Sequence, residues 1–173
     1  MAANKFLSNV AGKIKEVFGQ QTSAGIADAN KIVALDATGK LDISLLPPGV
    51  AAETVVAITS ENLTAGNFVN LYDNAGTLTL RKADATTTSK PAHGFVIANS
   101  TSPASNTMYI LGVQNAFQAG MTVGIRQFLS TTPGGVTATA PSTAGNLVQE
   151  LGIALSATEI LTIDGVSSSI EVA

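Results

Sequence analysis

Phe68-Val69-Asn70-Leu71-Tyr72-Asp73-Asn74-Ala75-Gly76-Thr77-Leu78-Thr79-Leu80 holds two short apolar runs around the turn signal Asp73-Asn74-Ala75-Gly76. Runs of this length, rich in β-branched and aromatic residues and bounded by Asp, Asn and Gly, predict strands rather than helix turns. The same texture continues on both sides. Thr54–Thr59, Gly94–Ala98, Met108–Leu111, Thr122–Ile125, Val136–Thr139, Leu147–Ser156 and Ile160–Ile163 read as further strands. Ser102-Pro103, Thr132-Pro133-Gly134-Gly135 and Asp164-Gly165 supply the turns between them. Several short strands at this spacing predict that residues 51–173 form a small β-barrel or β-sandwich, which makes the chain mainly β.

This region also reads as a degenerate duplication. Leu63–Val69, Gly76–Leu80, Gly94–Ala98 and Met108–Gly112 correspond in order to Phe117–Val123, Gly135–Thr139, Gly152–Ser156 and Leu161–Gly165. The offset drifts from about 53 to 59 residues, as loop insertions would produce, and two similar half-motifs in one compact domain account for it. Chance similarity in a Thr-, Ala- and Gly-rich text is the alternative.

Two segments precede the β region. Residues 26–50 form an extended arm, in which Leu41-Asp42-Ile43-Ser44-Leu45 alternates as a half-buried strand does. Asp36-Ala37-Thr38-Gly39 is a turn candidate, and Pro47-Pro48 removes two amide donors and ends the segment. So few apolar side chains build no core of their own, so the arm must pair with the main domain or with another subunit. In residues 1–25, Phe6, Leu7, Val10, Ile14, Val17 and Phe18 fall along one helical stripe, with Asn4 as N-cap and Gly19 past the C-terminus. An amphipathic helix and hinge are expected here. Its stripe packs on its own domain, seals a trimeric bundle or docks on another protein. Three lysines make a weak cationic face for a membrane surface.

Composition narrows the function. The 173 residues are 45% hydrophobic but only 12% charged, against about 25% in an average soluble domain. A chain this poor in charge, with a mean hydropathy of +0.31, is expected to cover part of its uncharged surface with copies of itself, the alternative being a monomer with a Thr, Ser and Asn coat. Its apolar runs are far shorter than the roughly 20 residues of a spanning helix, so no membrane segment is expected. Lys13, Lys15 and Glu16 also interrupt any secretory signal. The formal charge is −3, and nine dispersed basic residues give no phosphate-binding stripe, so no nucleic-acid partner is expected.

Reactive chemistry is scarce as well. The chain has no Cys and one His, which leaves no thiolate metal site, disulfide or multi-histidine centre. His93 stands in Lys90-Pro91-Ala92-His93-Gly94-Phe95 without a G-x-S-x-G nucleophile, and reads as a loop or strand-edge histidine. Gly39-Lys40 lacks the flanking residues of a phosphate loop, and neither Asp36 and Asp42 nor Asp73 has calcium-loop spacing. No catalytic residue, metal, cofactor or small-molecule substrate is expected.

Two stretches resemble known proteins. Ala29-Asn30-Lys31-Ile32-Val33-Ala34-Leu35-Asp36-Ala37-Thr38-Gly39-Lys40-Leu41-Asp42-Ile43-Ser44-Leu45-Leu46-Pro47 resembles a phrase in tailed-bacteriophage head-fibre and tail-fibre proteins, where it precedes a trimeric module. Leu63–Leu71, Arg81–Ala85 and Lys90–Val96 are similar to small capsid decoration (cement, head-stabilisation) proteins. The resemblance implies a homotrimer with a β-tulip-like barrel, made in the host bacterial cytoplasm and carried on the virion. It would bind the major capsid protein on the outer face of the expanded head, near three-fold or quasi-three-fold axes, and hold the shell against genome pressure. Leu41, Ile43, Leu45 and Leu46 would then line a trimer seam, and the helix stripe would dock on the capsid or seal the trimer. A head- or tail-fibre or receptor-binding module is the alternative, and the low aromatic content argues against a recognition tip.

Overall fold

The structure, a computed structural model, describes residues 5–46, 52–163 and 169–173. Asn4, Pro47-Pro48 and Asp164-Gly165, to which the sequence assigns a cap, an arm end and a turn, lie outside the described residues. The chain divides into two compact units, Met1–Ala51 and Ala52–Ala173.

In the first unit the expected helix is a β-hairpin. Strands β1 (Lys5–Val10) and β2 (Lys13–Phe18) pair antiparallel from Lys5↔Phe18 to Val10↔Lys13. Ala11 (φ 53°) and Gly12 (φ 79°) both sit left-handed, the geometry of the two-residue turn that matches strand twist. A helix here would carry Gly12 mid-span at about 1 kcal/mol and the β-branched Val10, Ile14 and Val17. The spacing that suggests one helical stripe divides between two strands. Beyond the hairpin, Gln20 bridges Val33 in parallel, its N–H donating to the Ile32 carbonyl at 2.7 Å.

The expected strand Leu41–Leu45 is also absent. Ile43–Leu45 is a 3₁₀ turn instead. Asp42 Oδ1 accepts from the Ser44 N–H (2.9 Å) and the Ser44 hydroxyl (2.6 Å), while the Leu45 N–H donates to the Asp42 carbonyl. An Asp side chain bonded to the backbone two residues on curls the chain more readily than it pairs as a strand. The turn at Asp36–Gly39 does form, with Gly39 at φ 78° and its N–H donating to the Asp36 carbonyl.

The second unit holds strands β3 (Thr54–Thr59), β4 (Phe68–Asn74), β5 (Thr77–Lys82), β6 (Gly94–Val96), β7 (Ser105–Ile110) and β8 (Gln114–Asn115). These are followed by β9 (Arg126–Leu129), β10 (Val136–Thr137), β11 (Leu147–Val148), β12 (Glu150–Ala154), β13 (Ile160–Thr162) and β14 (Ile170–Glu171). The first five close into a barrel in the order β3-β5-β4-β6-β7, sealed by parallel pairing of β3 with β5. A second, open sheet runs β10-β9-β12-β13-β8, and β11 pairs separately with β14. Mainly β architecture with a closed barrel is thus observed. Among the described residues there is no α-helix.

The two sheets share one plan. Starting from β5, the barrel reads β5-β4-β6-β7-β3, which matches β10-β9-β12-β13-β8 strand for strand. Hydrogen bonds repeat 58 residues apart (Gly66 to Gly124, Asn67 to Ile125, Val96 to Ala154). The Gly66 N–H donates to Val96 O and the Gly124 N–H to Ala154 O; Asn67 to Thr64 O and Ile125 to Thr122 O; Val96 to Asn67 O and Ala154 to Ile125 O. The structural partner of Leu63–Val69 is therefore Met121–Gln127, not Phe117–Val123. Thr122–Ile125 is a turn around left-handed Gly124 (φ 78°), and the strand begins at Arg126.

Two apolar cores result. Ala57, Leu63, Val69, Leu80, Val96 and Met108 fill the barrel. Phe68, Phe95 and Leu111, on its outer side, share a second core with Met121, Leu129, Leu147, Leu151, Ala154 and Ile160 of the other half. Phe95 lies between Phe68 (ring centroids 6.1 Å apart) and Tyr109 (5.8 Å).

Candidate interaction surfaces

The hairpin register puts Leu7, Ile14 and Phe18 on one face and Phe6, Val10 and Val17 on the other. The first face is open, with Leu7 74% exposed. Lys5 crosses it, paired with Glu16 at 2.8 Å and lying 5.5 Å from the Phe18 ring centre. The second face leans on Gly19 and Ala34, where a Cβ on Gly19 would strike both Ala34 and the Phe6 ring. Beside it a concavity of about 400 Å³ is lined by Ser8, Val10, Val17, Phe18, Gln20, Asn30, Lys31 and Ile32. The six residues of the expected stripe are thus brought together, but as the two sides of a ribbon.

Among the described residues of this unit, Ala34 is the one buried apolar side chain. Leu41 is exposed, and Leu45 and Leu46 are half-buried around the 3₁₀ turn. The Lys40 amide, with the Thr38 hydroxyl and amide, holds the Asp36 carboxyl below its ordinary range. Ser44 does the same for Asp42. These acids serve turn closure. A two-stranded ribbon with so little buried apolar surface is marginal in water.

His93 belongs to a polar cluster on the barrel. Its Nδ1 accepts the Leu71 N–H at 3.0 Å, which leaves its proton on Nε2. Asn70 Nδ2 donates to the Pro91 carbonyl, Arg81 Nε donates to Asn70 Oδ1 at 2.8 Å, and the Arg81 guanidinium lies 4.1 Å from the Tyr72 ring centre. Burial, reinforced by the Arg81 charge, pushes the imidazole below its ordinary pKa. Each partner satisfies another, so the cluster ties β4 to the Pro91–His93 segment. Among the described residues no group of three His, Asp or Glu side chains converges as metal ligands would, and no helix is long and apolar enough to cross a membrane.

The two halves of the second unit are stitched by backbone and amide bonds. Phe68 N–H donates to Gly134 O, Gly134 N–H to Ala83 O and Leu147 N–H to Ala85 O. Gln149, fully buried, mimics a strand: its Oε1 accepts the Ala92 N–H at 2.7 Å and its Nε2 donates to Ala92 O at 2.8 Å. Asn115 and Gln118 both donate their side-chain amides to Gly66 O.

One apolar surface of this unit escaped the sequence reading. Ile153 pairs with Leu161 across β12 and β13, and Leu155 and Ile163 stand just beyond the ends of these strands. All four are 39–45% exposed, while Ala154, Ile160 and Thr162 between them are buried. The available signal is that Ile160-Leu161 and Ile153-Ala154-Leu155 are apolar on both parities, the pattern of strands covered on both faces.

No family model and no curated protein matches the chain. Among solved structures it is similar to the N base of head fiber gp8.5 of bacteriophage phi29, with a TM-score of 0.50 and 14% identity. The likeness covers 66% of this chain and 97% of that one, and what the two share is the fold.

Proposed function

We propose that the protein is a structural component of a tailed-phage head, a homotrimeric decoration protein that binds the major capsid protein on the outer surface of the shell. The observation that carries this reading is the fold likeness to a head-fibre base, and the Ala29–Pro47 and Leu63–Val96 resemblances point the same way. The physics suits an adhesive role. The chain is poor in charge, its first unit leaves Leu7, Ile14, Phe18, Ile26 and Leu41 exposed beside the buried Ala34, and its polar clusters close turns. Such a ribbon gains stability when a partner covers it, and extended segments bind sheet edges through main-chain hydrogen bonds. Three linked contacts raise avidity by about 10²–10⁴ over one. The protein performs no reaction in this reading.

Cosedimentation of the full chain with expanded heads lacking it is expected to show saturable binding, near three-fold or quasi-three-fold axes. Removing residues 1–51 is expected to abolish that binding. Failure of the full chain to bind overturns the reading, and undiminished binding after the deletion moves the contact to the second unit. The fold neighbour itself favours a second reading, the base of a head fibre. Copy number separates the two: hundreds per particle support decoration, and a handful supports a fibre.

A further inference from the structure

We infer that the face of the second sheet centred on Ile153 and Leu161 is turned to the symmetry axis around which copies of this chain associate. The inference rests on the self-association in the proposed function and names its surface. The duplication supplies the argument. In the barrel, Phe68 pairs with Phe95 and Phe95 with Tyr109; Phe68 and Phe95 are buried in the core shared with the second half, and Tyr109 packs against it. In the second sheet the equivalent row is Arg126, Ile153 and Leu161, joined by the same strand pairings. Among the described residues no covering layer lies over it. A stack of similar layers ends stably in a polar face, yet this terminal face carries Ile153 and Leu161, with Leu155 and Ile163 just beyond the strand ends.

The chain itself shows what fits such a row, namely another of its own β-sheets. A second copy is the matching occupant, since a flat aliphatic surface meets its own kind without needing charge complementarity. From fractional exposures of 39–45%, the four side chains present about 300 Å² of apolar surface per copy, already at the size of the largest patch on a typical monomer. Gln114, Arg126 and Glu150 form its polar rim, and a standard interface of roughly 800 Å² per partner takes in this patch together with its surroundings. Arg126 and Glu150 are 3.6 Å apart within one copy, so this pair brings no net charge into the contact.

The test is analytical ultracentrifugation of the full chain, unmodified and as Leu161→Glu, with circular dichroism to follow the fold. Burying an unpaired carboxylate in an apolar contact is expected to weaken association about a hundredfold or more, so the variant sediments as a folded monomer where the unmodified chain is an oligomer. Val56→Glu, at an exposed apolar position on the barrel, is expected to leave the oligomer intact. An unchanged oligomer in Leu161→Glu overturns the inference and leaves self-association standing. A monomeric unmodified chain overturns both. If Leu161→Glu fails to fold, Leu161→Cys carries a spin label in a chain with no other cysteine. Dipolar coupling between labels of different copies then supports the face, and its absence in an oligomer overturns it.

Discussion

Replacing Gln149 by Leu removes the amide that joins the two halves while keeping the side chain's approximate volume. Gln149 and Ala92 are both fully buried, and the amide satisfies both the N–H and the C=O of Ala92 at 2.7 and 2.8 Å. In the variant neither group has another partner within reach of water. Each unsatisfied buried group costs about 1–3 kcal/mol. Burying an aliphatic chain in place of the amide recovers about 1–2 kcal/mol, so the net loss centres on about 2.5 kcal/mol. For a unit of this size each kcal/mol lowers the melting temperature by about 3–4 °C, so a drop of about 10 °C is expected. Urea titration followed by circular dichroism should show a lower midpoint with an unchanged slope. The Ala92 amide is expected to exchange slowly with deuterium in the parent and readily in the variant. A midpoint shift worth less than about 0.5 kcal/mol, with Ala92 still protected, would refute the claim that this bond holds the halves together.

Gly152 and Gly94 occupy equivalent places, where a Cβ would run into the Leu161 and Tyr109 carbonyl oxygens respectively. Gly152→Ala, which also strains φ at +150°, is expected to cost at least about 3 kcal/mol or to block folding. Gly76→Ala, at φ +85° in open space, should cost only about 1 kcal/mol by thermal melt. His93 gives a pH signature. Its folded pKa lies below the unfolded value near 6.5, so the unfolded chain binds more protons between the two and stability rises with pH there. Stability is therefore expected to be full above about pH 6.5 and to fall as pH drops below it; His93→Gln should remove that component of the melting-temperature profile from pH 5 to 8.

How far the sequence disclosed this fold depended on which local signals compete. Phe68–Leu80 was legible because Asp73-Asn74-Ala75-Gly76 can hardly do anything but turn: Ala75 and Gly76 both go left-handed, and Asp73 Oδ1 accepts the Gly76 N–H. The hairpin at Lys5–Phe18 was not legible, because six apolar residues spaced by three and four satisfy a helix as well as two strands; Ala11-Gly12 was the deciding pair. Leu41–Leu45 alternates as a strand should, but Asp42 captured Ser44 first. The repeat was visible as texture, while its register was not, since Gly120 and Gly124 both follow plausible strand runs and only hydrogen bonding tells which one matches Gly66. Of the candidate contact residues, the hairpin and arm sets were found as apolar residues but given the wrong geometry. Ile153 and Leu161 went unseen because a doubly apolar strand looks like core until one face is found uncovered.

The claim that this protein works by adhering to a larger shell is tested most directly by a difference map between electron cryo-microscopy reconstructions of heads with and without it. The account predicts added density on the outer surface, close to three-fold or quasi-three-fold positions and of a volume fitting several copies in contact. Identical shells, or density confined to the tail, would contradict it.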